Sequence, residues 1–342
     1  MTDITIKGAG IFGLSIAWEC LCRGATVQVI DPHGVGAGSS GGVVGALAPH
    51  VPENWNPKKD FQFESLIASK GFWAAVDAAG GGASGYAQTG RLQPIEDDKT
   101  LELAHRRAET AQTLWQGKAV WEVVSHSADW PVTSPTGYWI YDTLSARINP
   151  KQACAALAAA IIGKGGRIVS DGPERGAVVW AAGAWDLHRI SNALGKTFGN
   201  GVKGQAAVFD FDLAHAPQLF AQTLHFIPHA NGTIAVGSTS ERDYSEPAST
   251  DDQLEDVIAR AKRIVPALEQ APIIARWAGV RPRSKSRAPV LGRHPLNPEH
   301  FIANGGFKIG FGMAPKIAQV MADYVLEGRN EIPEDFTPEK SL

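Results

Sequence analysis

Covalent cross-links have little to work with here: the 342 residues include only three cysteines, Cys20, Cys22 and Cys154. Their spacing matches neither a disulfide framework nor a zinc site, so they read as reduced thiols. No sign of charge is in excess either. The formal net charge is -3 and the pI is about 6.4, which argues against a surface built to hold polyphosphate. Nucleic acid is therefore not an expected partner. No apolar run approaches the length of a membrane span, and a first strand beginning by Ile4 leaves no room for a charged leader and apolar signal core. The expectation is a soluble, cytoplasmic protein. Internal repeats and long low-complexity tracts are also missing. What the length does allow is enough buried surface for two domains without staples.

Against that background the stretch 4–13, ITIKGAGIFG, stands out as a short apolar strand running into a glycine-punctuated turn. Gly8 permits the tight turn, Gly10 lets backbone approach a pyrophosphate, and Gly13 allows the next helix to pack closely on the strand. Ile11 and Phe12 lie inside the turn. Leu14, Ala17, Trp18 and Leu21 give the helix an apolar face that ends near Gly24. A second strand over 26–30 then delivers Asp31, followed by Pro32, roughly 20 residues past the glycines, where a carboxylate can accept bonds from a ribose hydroxyl. The unit is that of a dinucleotide site.

Residues 32–49 form a loop too rich in glycine and serine for an ordinary connection and, with Val43, Val44 and Leu47, too apolar for a linker. Its backbone N–H groups and the Ser39 and Ser40 hydroxyls suit a pyrophosphate, and small residues through Gly45, Ala46 and Leu47 let a flat ring pass close by. From residue 50 to about 149 the pattern changes to a different layer, with a Gly-rich bend at 80–85, a helical stretch carrying Leu101, Ala104, Ala108, Ala111 and Trp115, and a strand at 138–141. Asn149 and Pro150 introduce an alanine-rich helix closed by Gly163 and Gly165. The short apolar runs 167–169 and 177–182 read as buried parallel strands, so the nucleotide sheet is interrupted and then resumed. Three runs, 205–211, 223–227 and 233–236, suggest an antiparallel sheet. Thr250 to Gln253 has the capping-box pattern and opens a helix whose Leu254, Val257, Ile258, Ala261, Ile264 and Val265 share a face.

Read together, four blocks resemble the D-amino-acid oxidase superfamily of flavoproteins, most closely its glycine/sarcosine-oxidase-like branch. They are Gly8-x-Gly10-x-x-Gly13 with Asp31, the loop 38–49, the run 178–185 (VVWAAGAW), and the C-terminal pair 277–282 (WAGVRP) and 305–315 (GGFKIGFGMAP). The resemblance implies an α/β fold. A Rossmann-like FAD-binding domain of the glutathione-reductase type, over 1–50, 145–200 and 275–342, would interleave with a mixed, antiparallel-sheet substrate domain over 51–144 and 201–274. It implies FAD as cofactor, and the lack of cysteine in 305–315 implies that the FAD is noncovalent. Val169, Ala182, Gly183 and Trp185 join the cofactor set on the same ground, as do Gly305, Gly306, Phe307, Lys308, Ile309 and Gly310.

The activity implied is oxidation of a small amino acid (glycine, sarcosine or D-amino-acid type). Hydride transfer to flavin N5 gives an imine, and O2 is reduced to H2O2. A flavin dehydrogenase with another electron acceptor, a tRNA-modifying enzyme acting on an aminomethyl-uridine, and a non-catalytic flavin-binding module are the competing readings; a homo-oligomer is compatible with any of them. Arg281 matches the family arginine that pairs with the substrate carboxylate, a role suited to a planar guanidinium. Lys308 matches a position often basic or polar beside the flavin, and can add to the anion site or assist oxygen reduction. His225 stands where the family often offers a tyrosine to the substrate; its alternative is a packed side chain. Arg283, Lys285, Arg287 and Arg293 form a basic rim that can draw in an acidic substrate. Pro315 suits the first turn of a helix, which places a helix N-terminus, positive by its dipole, at 313–316 facing the flavin. Ser286, where relatives often carry an acid, and the short connection 171–176 depart from the family pattern. No metal is expected, since Pro228 separates His225 from His229 on a strand.

Overall fold

Two missing side chains let the first strand and helix touch. In the computed structural model, which describes residues 3–125 and 129–342, strand Asp3–Lys7 turns into helix Ile11–Cys22. A Cβ on Gly13 would sit 2.0 Å from the Gly8 carbonyl oxygen and 3.1 Å from Ile6 Cγ2, so nothing but glycine lets the helix lie this close. Gly8 itself adopts φ +116°, a region L side chains avoid.

The strand seeds a six-stranded sheet in the order Val290–His294, Asn297–Asn304, Ala177–Trp180, Asp3–Lys7, Thr26–Ile30, Arg167–Val169. Its pairings are parallel except at the Val290–His294 edge. Helices Ile11–Cys22, Pro150–Gly163 and Gly310–Glu327 cover one face, against which Ile4, Ile6, Val27 and Val29 of the central strands are buried. Consecutive strands of this sheet come from both ends of the chain and its middle, which is the interruption read from the sequence.

An eight-stranded sheet forms the second layer, in the order Ile273–Ser284, Gly199–Asp210, Thr233–Gly237, Leu224–Pro228, Gln218–Ala221, Arg91–Pro94, Trp139–Asp142, Trp121–Val124. It is antiparallel apart from the pairing of Gln218–Ala221 with Arg91–Pro94. Helix Asp252–Ile264 packs its apolar face on this sheet, closing a core with Phe209, Phe226 and Trp130. Its cap is Asp251, one residue later than the pattern at Thr250 suggested, because the Asp251 carboxylate accepts from the Gln253 N–H.

Two further differences from the sequence expectation have clear causes. The strand Ile273–Ser284 runs across the expected boundary at residue 275 and pairs along most of its length with Gly199–Asp210. The helix Pro57–Gly80, inside the range expected for the substrate layer, packs instead against helices Gly310–Glu327 and Pro150–Gly163, burying Phe61, Leu66, Trp73 and Val76 in the core beneath the nucleotide sheet. No helix among the described residues is long and apolar enough to cross a membrane.

The glycine contacts predict opposite outcomes for two Gly→Ala changes. Gly13→Ala should lower unfolding free energy by more than about 2 kcal/mol, because the helix must lift off the strand. Gly71→Ala, exposed in the middle of helix Pro57–Gly80 with nothing within 4 Å of the added carbon, should raise it by about 0.5–1 kcal/mol. Denaturant midpoints of the two variants check both signs.

Candidate active site and cofactor cavity

The C-terminal ends of the parallel strands open onto one cavity of about 1200 Å³, lined by their last residues Lys7, Ile30, Trp180 and Asn304. This is where a doubly wound sheet binds ligands, and the volume exceeds the ~300–1,000 Å³ typical of a drug-sized ligand. At one end lie Gly8, Gly10, Ile11, Phe12, Asp31 and Pro32, with Ser39, Ser40, Gly45 and Ala46 from the second loop. Ser40 Oγ accepts a 3.0 Å bond from the Ile11 N–H, standing in for the side-chain cap that Gly10 cannot supply. The remaining N–H groups of that first turn face an anion site of the ordinary helix-terminal kind. Asp31 is set in place by its own backbone: Oδ2 accepts from the Ala9 N–H at 2.8 Å and Oδ1 from the His33 N–H at 2.9 Å, which leaves each oxygen a further lone pair.

The C-terminal glycine segment closes over this turn. A Cβ on Gly306 would lie 2.7 Å from Phe12 Cζ, so the absence of a side chain there joins the two most distant sequence blocks. Gly306, Phe307, Lys308, Ile309 and Gly310 line the cavity, as do Ala182, Gly183 and Trp185 from the opposite wall. Four expected cofactor residues do not. Gly13 faces Gly8, Leu47 is buried in the core, and Gly305 lies beneath Ser284 and Ala288. Val169 acts through its carbonyl, which accepts from the Asp31 N–H at 3.0 Å. The helix N-terminus also lies earlier than expected: the helix is Gly310–Glu327, with Gly310 and Phe311 at the cavity and Pro315 inside it. The Lys316 N–H finds Ser65 Oγ at 3.2 Å, which eases the irregularity a proline introduces.

The same cavity is lined by Arg281, Lys308 and His225. Arg281, only 9% exposed, lies flat on Gly204, where a Cβ would be 2.1 Å from Nη2. Its Nη2 donates to the carbonyls of Lys203 (3.1 Å) and Thr239 (2.6 Å), and Nη1 donates to Ser238 Oγ (2.9 Å). Of five guanidinium donors, three are therefore engaged by the protein, and Nε has no partner. That leaves less than the two adjacent free N–H groups a full bidentate grip needs. Burial pushes the Arg281 pKa down to about 10, opposed by Glu241, so the group stays cationic at neutral pH.

Lys308 is exposed at the cavity wall, its pKa lowered by desolvation and then by Arg281 and Arg283. His225 sits opposite Phe220 on a tight hairpin, ring centroids 4.6 Å apart, with Nδ1 buried and unpartnered. Burial, with Arg91 and Lys308 adding, drives its pKa down to about 3, so the imidazole is neutral. His229 instead bonds the Val43 carbonyl at 3.0 Å. The sequence reading missed Phe220, Thr223, Ser238, Pro247 and Ala248, all on the cavity wall. Only the hairpin register, Phe220 opposite His225, was a readable clue to any of them.

The parallel sheet, glycine turn and cavity at the strand ends define a dinucleotide-binding enzyme of the doubly wound type. The description FAD dependent oxidoreductase matches residues 3–324. The chain belongs to that family, the D-amino-acid oxidase (DAO) family of flavoproteins, and its cofactor is FAD. It is 27% identical over 383 residues to the glycine oxidase of Pseudomonas putida, covering 99% of each chain. It is 24% identical over 355 residues to the bifunctional protein ThiO/ThiG of Trichormus variabilis, where 96% of this chain spans about half, 53%, of that protein. The crystal structure of glycine oxidase from Geobacillus kaustophilus superposes with a TM-score of 0.83 at 20% identity, covering 98% of both chains. The cavity suits FAD on its own evidence: the glycine cradle that a Cβ would fill, the helix N-terminus and the paired acceptor oxygens of Asp31.

The depressed His225 pKa has a consequence for stability. The unfolded chain takes up this proton near pH 6.5, whereas the native chain resists it until about pH 3. Stability from this group is complete above the unfolded value and is lost as pH falls through that window. His225→Gln should flatten the pH dependence between about pH 6.5 and 4 by one proton, read from denaturant midpoints across that range.

Proposed function

We propose that this chain oxidises the amine of a small amino acid, of the glycine, sarcosine or D-amino-acid type. The observation that carries the reading is one cavity whose cofactor end is a glycine turn and whose other end is a buried guanidinium beside a neutral imidazole. Bound FAD supplies a two-electron acceptor for the carbon that bears the amine. Arg281 holds the substrate carboxylate through its charge and its remaining Nη1 donor, while Gly204 and the Lys203, Ser238 and Thr239 acceptors keep it from swinging. His225, being neutral, can share a hydrogen bond with an uncharged amine and does not oppose it by charge. The N-terminus of helix Gly310–Glu327 adds a positive dipole end at the cavity, worth a few tenths to ~2 kcal/mol for nearby negative charge.

The similarity to glycine oxidases supports this substrate class; we take O2 as the electron acceptor, reduced to H2O2. We assign the six-stranded sheet to the cofactor and the eight-stranded sheet to the substrate. Three free cysteines fit a reducing, cytoplasmic setting.

A visible spectrum of the purified protein, followed by anaerobic addition of amines, tests the central claim. Glycine or sarcosine should bleach the flavin bands, and a protein that cannot be loaded with FAD sinks the reading. Arg281→Ala should lower kcat/KM for a carboxylate-bearing substrate by about 10–100-fold, the loss of one charge-assisted contact. Gly204→Ala should act in the same direction, because the new methyl displaces the guanidinium. A variant of Arg281 with unchanged kcat/KM removes it from the site.

A further inference from the structure

Phe307 is ringed by positive charge. Arg281 Cζ lies 5.7 Å from its ring centroid, Arg283 Cζ 5.4 Å and Lys308 Nζ 5.6 Å. The arrangement is built in. Arg281 and Arg283 alternate on strand Ile273–Ser284 and so project from one face, and the Phe307 N–H donates to the Pro282 carbonyl between them at 3.0 Å. Phe307 holds φ +42° to make that contact, a conformation a bulky residue seldom adopts. None of the three cations forms an ion pair among the described residues. The acid that acts on Arg281, Glu241, is itself bonded to Gln205 and paired with Lys203 at 3.5 Å.

Three like charges around one ring repel unless an anion enters. A single carboxylate, held through the one free Nη1 donor of Arg281, leaves Lys308 and Arg283 uncompensated. We propose that the substrate of this site is an amine carrying two carboxylates, one at Arg281 and the second at Lys308, with Arg283 adding to the field from behind Phe307. This rests on the amine-oxidation reading and narrows it to amino or imino dicarboxylates. The Lys308 ammonium, exposed at the cavity wall, has the reach and the free donors for the second group.

Binding of unreactive, amine-free acids to the flavin-loaded protein tests this without turnover. Acetate serves as the one-carboxylate probe, malonate and succinate as the two-carboxylate probes, read by calorimetry or by perturbation of the flavin spectrum. Malonate or succinate should bind at least about ten-fold more tightly than acetate, as one added charge-assisted contact predicts. Lys308→Met should erase that preference, Lys308→Arg should keep it, and Arg283→Gln, which leaves the cavity wall unaltered, should reduce it by a smaller factor. Acetate and dicarboxylate affinities within about three-fold of each other, or an equal loss of both in Lys308→Met, overturn the proposal. Anaerobic bleaching separates the two levels of the argument. A dicarboxylate preference in a protein that no amine reduces upholds the two-carboxylate site at Arg281 and Lys308 and removes amine oxidation. Bleaching by glycine without such a preference does the reverse.

Discussion

The antiparallel pairing of Gly199–Asp210 with Ile273–Ser284 is the joint on which both layers depend. From Gly199 opposite Ser284 to Val208 opposite Ala275 the register is unbroken, with an irregularity only beyond Val208. That register sets Gly204 beside Gly279 and Val202 beside Arg281, so a guanidinium can fold back over Gly204, where its partner strand lacks a side chain. A slip of one residue would turn Arg281 and Arg283 to the opposite face. Helix Asp252–Ile264 braces the same joint, since its cap Asp251 takes bonds from both Lys203 and Gln205 of the first strand. Site geometry and sheet register are thus one constraint.

Arg281 also shows how a charge is kept in a nearly closed place without a carboxylate touching it. Backbone carbonyls of Lys203 and Thr239 and a serine hydroxyl supply negative ends of dipoles, which offset part of the desolvation penalty while leaving the net charge in place. Pairing with an acid would have neutralised it. The neighbouring Lys203 demonstrates the contrast: it is 2% exposed but meets Glu241 and Asp251, so its charge is cancelled locally. One buried cation is structural, and the other remains available to a ligand.

Most of the cofactor half was legible in the order of residues, because glycine spacing, the acid after the second strand and strand length are local signals. The strands Thr26–Ile30 and Arg167–Val169 coincide with the runs read from the sequence. Helix Pro57–Gly80 was not legible, since polar residues on its inner face blur the apolar pattern. Gln62 and Ser65 are buried there because His50, Ala48 and Lys316 supply hydrogen-bond partners from elsewhere in the chain. The start of the last helix was misplaced because its first glycines read as loop, yet Gly310 and Gly312 lie inside it, Gly312 set against Leu66 where a Cβ would be 3.3 Å from Cδ2. For the site, the sequence indicated which cations to look for. It held no sign that Arg281 would have three of its donors engaged by the protein, which is a property of sheet register and not of any motif.

The Ser40 hydroxyl on the Ile11 N–H ties the second loop to the first helix. With Gly36 N–H donating to the Ala9 carbonyl at 2.9 Å, the walls of the cofactor end are also the bonds that hold residues 32–42 onto the nucleotide sheet. A ligand that fills this end braces the same segment, so cofactor loading and folding draw on a common free energy. By mass action, a dinucleotide at a hundred times its dissociation constant adds about 2.7 kcal/mol to the native state. The lifetime of this chain in a cell is thereby coupled to the local supply of flavin nucleotide.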